Sequence, residues 1–192
     1  MRIGLITDTH QPVGRAELAP EIHAAFAGVD LIMHGGDIVH PIVLDWLEEI
    51  APVVAARGNN DIGWLDPRVQ DFQVVEVEGL RIVMLHDMEP EDRPIAELRD
   101  RYLDGEYADV IITGDTHFER MDYRDGVLQI NSGSPTLPHH WSYRLGTVGL
   151  LEIDAADISA RIMRLGETEE LRNPGREYSF THETGVVRFD TT

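Results

Sequence analysis

Apolar and polar positions follow two different rhythms along this chain. In the first third, short apolar runs alternate with stretches whose apolar residues recur at helical spacing. Residues 2–7 read as a buried strand, and Ala16 to Ala27 as a helix with Leu18, Ile22, Ala25 and Phe26 on one face. Asp30 to His34 is a second strand. Pro41 to Ile50 follows as a helix, with the proline in its first turn and Ile42, Leu44, Trp46, Leu47 and Ile50 as its apolar positions. Pro52 to Ala56 is a third strand. Strand, helix, strand, helix, strand is the order of a parallel sheet covered by helices.

After a loop containing Trp64 and Pro67, near residue 72, the rhythm changes to alternation. Gln73 to Glu78 and Arg81 to Leu85 flank Glu78-Gly79 as a hairpin. Ile95 to Leu103 is a helix and Asp109 to Thr113 a strand. Glu119 to Tyr123 and Val127 to Ile130 form a second hairpin around Arg124-Asp125-Gly126, and Asn131 to Pro135 is a turn cluster. Thr147 to Ile153 and Ile158 to Leu165 make a third hairpin. Beyond Gly166 the composition turns polar. Residues 1–166 are expected to form one domain, with 167–192 a polar extension in which Tyr178–Phe180 and Val186–Phe189 could pair as a small hairpin.

Composition narrows the function. The chain has 192 residues, no cysteine and no lysine, and 35 acidic against 16 basic residues give a net charge of −19. Absence of cysteine excludes thiolate metal sites, disulfides and cysteine catalysis. The acidic field opposes long nucleic acids and anionic membranes as partners. An anionic substrate therefore needs a local positive charge, which a bound metal would provide. No apolar run approaches a membrane span, and the first is too short for a signal peptide, so a cytoplasmic protein is the expectation.

The candidate chemistry lies where the apolar runs stop. Asp8-Thr9-His10 closes the first strand, and in an extended segment residues 8 and 10 point the same way, which suits two ligands of one metal. Asp37 closes the second strand, Asn59 the third, and His86 the second strand of the first hairpin. Asp115 and His117 close the strand at Thr113, in a second Asp-Thr-His stretch. Each has an ordinary alternative: Asp37 or Asp61 could cap a helix, and His86 could be a satisfied core histidine. Together they form a set of oxygen and imidazole donors at the loops where open α/β sheets build ligand sites.

This ordered set resembles the signature of the calcineurin-like metallophosphoesterases. Asp8-Thr9-His10, Gly36-Asp37, Gly58-Asn59-Asn60-Asp61, His86 and Gly114-Asp115-Thr116-His117 stand where that family has Asp-x-His, Gly-Asp, Gly-Asn-His-Asp, a lone His and Gly-His-x-His. Arg57-Gly58-Asn59, the His34-to-Asp37 run and Asn131-to-Pro135 are similar to the small YfcE-like branch in particular. The resemblance implies an α/β fold, a four-layer αββα sandwich with two facing mixed sheets. It implies a metal-dependent phosphoesterase, acting on phosphodiesters, in which two metals activate a bridging hydroxide for in-line attack on phosphorus. Asp8, His10 and His117 would hold the first metal, Asn59, His86 and Asp115 the second, and Asp37 both.

The sequence departs from that signature in two places. Asn60 replaces the histidine that assists phosphate binding or protonates the leaving group. An amide can still contact substrate phosphate but cannot act as a general acid. Asp115 replaces a histidine, which makes the second site harder and favours Mn2+ first, with Mg2+, Fe or Zn2+ as the other candidates. These departures, and the extension, keep open a metal-binding interaction protein on the same scaffold, and the phosphomonoesterase or nucleotidase alternative also stands. The expected partner is a small phosphorylated substrate, with a second copy of the chain as a candidate through the terminal hairpin.

Overall fold

The fold is given by a computed structural model that describes residues 1–10, 17–142, 144–155 and 157–190. Its first sheet starts from three parallel strands, β1 (Arg2–Ile6), β2 (Leu31–His34) and β3 (Val53–Ala56), extended at one edge by a two-residue strand, β4 (Val69–Gln70). The second sheet is built from β5 (Gln73–Val77), β6 (Leu80–Met84), β7 (Val110–Thr113), β8 (Glu119–Arg124) and β9 (Val127–Ser132), in the order β5-β6-β7-β9-β8. The chain then returns to the first sheet. Strand β10 (Thr147–Asp154) runs antiparallel to β1, and β11 (Asp157–Arg164), β12 (Tyr178–Thr181) and β13 (Val186–Phe189) follow as antiparallel neighbours.

Side-chain alternation explains how the two sheets face each other. Ile3 and Leu5 of β1, Ile82 and Met84 of β6, and Val110 and Ile112 of β7 share one buried cluster between the sheets. The opposite face of the first sheet packs through Ile6, Ile32, Val53 and Val148 against α1 (Pro20–Ala25) and α2 (Ile42–Glu48). Val83, Ile111 and Val127 of the second sheet pack against Ile95 and Leu98 of α3 (Ile95–Tyr102). The result is four layers, helix, sheet, sheet, helix, as the resemblance implied. Gly4 lets α1 lie close: a Cβ there would meet the Phe26 ring at 3.0 Å.

Several boundaries differ from the expectation, each for an identifiable reason. The first helix spans only Pro20–Ala25, because proline at its N-terminus starts it late; Ala16 lies outside the described residues. Strand β4 falls in the expected loop, since two residues are too few to show a period. Asn131 and Ser132 are the last residues of β9 rather than part of a turn, paired with Arg120 and Glu119. Neither Asp37 nor Asp61 caps a helix: α2 is preceded by Pro41 and has no side-chain cap.

The polar extension is carried by the first sheet. Strand β12 pairs with β11 through Ser159↔Thr181 to Ile162↔Tyr178, and Phe180 is buried in the cluster between the sheets. Asn173 donates to the carbonyls of Gly146 and Gly166, and Gly175 lies against Thr147 and Glu119.

Candidate metal centre

Parallel strands β1, β2, β3, β6 and β7 all end at one edge of the sandwich, and the loops that follow them interlock. The Asp8 amide donates to Gly36 O (2.9 Å), the His10 amide to Asp37 O (3.0 Å) and the Gly114 amide to His86 O (2.9 Å). Glycine permits this closeness. A Cβ on Gly58 would collide with Asp37 Oδ1, and one on Gly114 with Thr7 Oγ1. At both glycines one loop's backbone lies directly on a side chain of another loop.

The two Asp-Thr-His stretches share positive φ at their Asp and His, so neither is extended. Strand β1 stops at Ile6 and β7 at Thr113. Asp8 (φ 52°), His10 (φ 38°), Asp115 (φ 69°) and His117 (φ 60°) all take the left-handed conformation, as does Asp37 (φ 55°). Convergence of residues 8 and 10 thus comes from alternate left-handed residues in a loop, correcting the expectation from strand geometry. Such conformations cost non-glycine residues about 1 kcal/mol or more each and are characteristic of functional loops.

Two groups of donors result. Asp8, His10 and His117 form one; Asp8, Asp37 and His86 form another, and within each group the donor atoms lie within 4.8 Å of one another. His10 Nε2 is 3.1 Å from His117 Nε2 and 3.2 Å from Asp37 Oδ2. The His117 Nδ1–H donates to Leu137 O (3.0 Å), which leaves its Nε2 lone pair facing the group. His86 is set the same way, with Nδ1–H donating to Gly35 O (2.8 Å). Its Nε2 then faces three oxygens: Asn59 Oδ1 at 3.0 Å, and Asp37 Oδ1 and Asp115 Oδ1 each at 3.4 Å. A ring nitrogen set among three acceptor oxygens needs a proton or a cation between them. The donor set therefore fits divalent metal.

Electrostatics tell the same story. Asp8 is fully buried, and burial raises its carboxyl to about 7, against the lowering effect of His86 and Thr7. Burial pushes His117 down to about 4, so its ring is neutral. Burial alone would lower His10, but the hydrogen bond to Asp37 and the charges of Asp37 and Asp8 outweigh it and raise it. Asp37 is held well below the usual carboxylate range: burial opposes this, but donors from His10 and Asn60 prevail. Asp37 stands between the two groups, within 3.4 Å of both His10 and His86 nitrogens.

Surrounding residues hold this arrangement. The Asn60 backbone and side-chain amides donate to Asp37 Oδ1 (2.8 Å) and Oδ2 (2.6 Å). Buried Asp61 accepts from the amides of Ile38, Val39 and Gly58, tying the second and third loops together. Arg57 braces that loop through Asp61 O and Asp71. His34 is fully buried, and burial lowers it to about 3; it accepts from the Gly36 amide at Nδ1 and donates from Nε2 to Thr9 Oγ1.

The site opens into a pocket of roughly 470 Å³ lined by His10, Asp37, Asn59, Asn60, Asp115, His117, Leu137, His140 and Ser142. All of the expected site residues meet here except Asp8 and His86, which lie beneath its floor. His140 lies here too, outside the expected set. Its ring stacks on His117, with centroids 4.3 Å apart and planes at 27°. In the sequence the Pro138-His139-His140-Trp141 run reads as a loop that could edge the pocket, with surface or structural roles favoured for both histidines.

Comparison with known proteins gives the family. Residues 1–156 match the model of the calcineurin-like phosphoesterase superfamily domain. A probable metallophosphoesterase of Methanothermobacter thermautotrophicus is 36% identical over 86% of this chain and 94% of its own. A phosphodiesterase of Methanocaldococcus jannaschii is 31% identical over 69% of this chain and 83% of its own. Among solved structures, zinc-complexed Vps29 from Entamoeba histolytica superposes with a TM-score of 0.67 over 99% of this chain and 97% of its own, at 20% identity, a likeness of fold. The chain belongs to the calcineurin-like phosphoesterase superfamily and is a phosphoric ester hydrolase by class.

Proposed function

We propose that this chain is a metal-dependent phosphodiesterase that works with two divalent ions, Mn2+ first among the candidates. The observation that supports the reading most is the environment of His86 Nε2, set among Asn59, Asp37 and Asp115 oxygens, next to an Asp8–His10–His117 group that shares Asp8 with the Asp37–His86 pair. Asp8, His10 and His117 would hold one ion, Asn59, His86 and Asp115 the other, and Asp37 both. Bound there, the ions supply Lewis acidity for a phosphoryl oxygen and for the attacking water.

The protein's own groups set orientation and charge. Leu137 O and Gly35 O fix the tautomers of His117 and His86, so both rings present Nε2. Asp8, Asp37 and Asp115 would leave two divalent ions a net charge of about +1 before the attacking water is deprotonated, which suits the single charge of a diester better than a monoester dianion. Asn60 holds Asp37 with both amides and lines the pocket, where its side-chain N–H would be placed to reach a substrate oxygen as well. It offers no titratable proton, so esters with good leaving groups should react best.

The test is hydrolysis of bis-p-nitrophenyl phosphate and p-nitrophenyl phosphate with and without Mn2+, in wild type and Asp37→Ala. Metal-dependent turnover of the diester, lost in the variant, is expected. Preference for the monoester would favour the phosphomonoesterase alternative. No turnover by the metal-loaded wild type would leave the interaction-protein reading, which the Vps29-like fold accommodates.

A further inference from the structure

Beside the metal groups, the pocket has an aromatic edge that the hydrolytic reading leaves unused. His140 lines the pocket and stacks on His117. Phe118, about half exposed, meets the His140 ring edge-on at 6.0 Å and stacks on His139 at 4.3 Å, with planes at 18°. Leu137 adds an apolar wall to the same pocket.

This edge is built, not incidental. The His139 amide donates to His117 O (3.2 Å), and its Nε2 pairs with Glu119 Oε2 at 2.8 Å. Glu119 is itself buried and also accepts from Thr147 Oγ1 (2.9 Å) and the Arg176 amide (3.2 Å). His139 (φ 53°) and His140 (φ 63°) are both left-handed, and these bonds hold them so. The His140 ring is thereby presented at the pocket, and Phe118 is kept at the surface beside it.

We propose that His140 and Phe118 form a stacking subsite for a planar ester group of the substrate, selecting aryl or heterocyclic phosphodiesters over alkyl ones. Aromatic rings offer a flat apolar face, and offset or edge-on packing adds attraction beyond the area covered. An apolar ledge next to a cationic phosphoryl site suits a ligand with one charged centre and one flat substituent. The inference rests on the phosphodiester reading of the pocket.

The experiment compares diphenyl phosphate with dibutyl phosphate, equal in charge and both apolar, binding to the Mg2+-loaded full chain by ligand-observed NMR. Wild type should bind the diphenyl ester about fivefold more tightly. Phe118→Ala and His140→Ala should bring the ratio close to one at unchanged metal content, and His140→Phe should retain it. Equal affinities in wild type, or a ratio that both alanine variants leave unchanged, would overturn the proposal. If His140→Ala loses metal, its stacking on His117 is structural and Phe118→Ala decides alone. An active enzyme without planar preference fails this inference only. An inert chain that keeps the preference supports it and fails the catalytic reading only.

Discussion

His10 Nε2 and His117 Nε2 stand 3.1 Å apart, although 107 residues separate them along the chain. Two imidazole nitrogens at this distance must share a proton or a cation. His117 has spent its Nδ1–H on Leu137 O, and burial keeps its ring neutral, so without metal the proton resides on His10, where Asp37 stabilises it. The metal-free site is thus a proton-holding version of the site proposed for divalent ions.

Asp8 makes that metal-free state sensitive to pH. Its carboxyl is raised from 3.8 to about 7 in the fold, so its contribution to stability is fully present below about pH 4 and lost as pH rises to 7. In EDTA, Asp8→Asn should melt a few degrees above wild type at pH 8, and the advantage should vanish at pH 4. With metal added, the order should reverse, because a neutral amide is a poorer ligand than a carboxylate. Thermal melts at both pH values, with and without metal, check this; equal melting temperatures in EDTA at pH 8 would remove the buried-charge account.

Gly58 is where the third loop lies on Asp37. A Cβ there collides with Asp37 Oδ1. Gly58→Ala should lower diesterase turnover by at least about a hundredfold, the size of effect expected when a positioned group moves by about an ångström. The far-ultraviolet circular dichroism should stay that of wild type. Retained turnover would show that Asp37 need not hold its present position.

Asp115 is one of the two departures from the family pattern, and its Oδ1 lies 3.4 Å from His86 Nε2. Asp115→Ala should weaken the second ion by at least about tenfold while sparing the first. Asp115→His should tighten it. Calorimetric titration with Mn2+ reads both changes, and unchanged affinity in both variants would mean that Asp115 is not a ligand.

How far the sequence alone reached depends on the scale of the signal. Apolar runs such as Ile3–Ile6 and Val110–Ile112 placed the buried strands, because each must fill a face between sheets or under a helix. Donors at the run ends, from Asp8 to His117, marked the edge at which the loops meet. What stayed hidden depends on φ values and on distant neighbours. Left-handed Asp8 and His10 are indistinguishable by composition from an extended pair. His140 lies at the pocket in a turn whose His139 is held by buried Glu119, a residue of distant β8. Asn60 was expected to meet substrate, and its present partner is Asp37.

The terminal hairpin also has more than a surface role. Phe180 of β12 is 2% exposed within the core between the sheets. Phe180→Ala should cost about 3–5 kcal/mol of stability. It should leave the metal affinity of the folded chain unchanged, since Phe180 packs on Tyr123 in an apolar cluster that contains none of the candidate ligands. Chemical denaturation paired with metal titration tests this, and a loss under about 1 kcal/mol would mean that the hairpin is only loosely attached.

The central claim is that the strand-end loops build two adjoining metal sites. Its most direct measurement is the number of Mn2+ ions per folded chain, by elemental analysis after loading and removal of free metal. The account predicts two for wild type and about one for Asp115→Ala. One ion or none in a folded, fully loaded wild-type chain would contradict it.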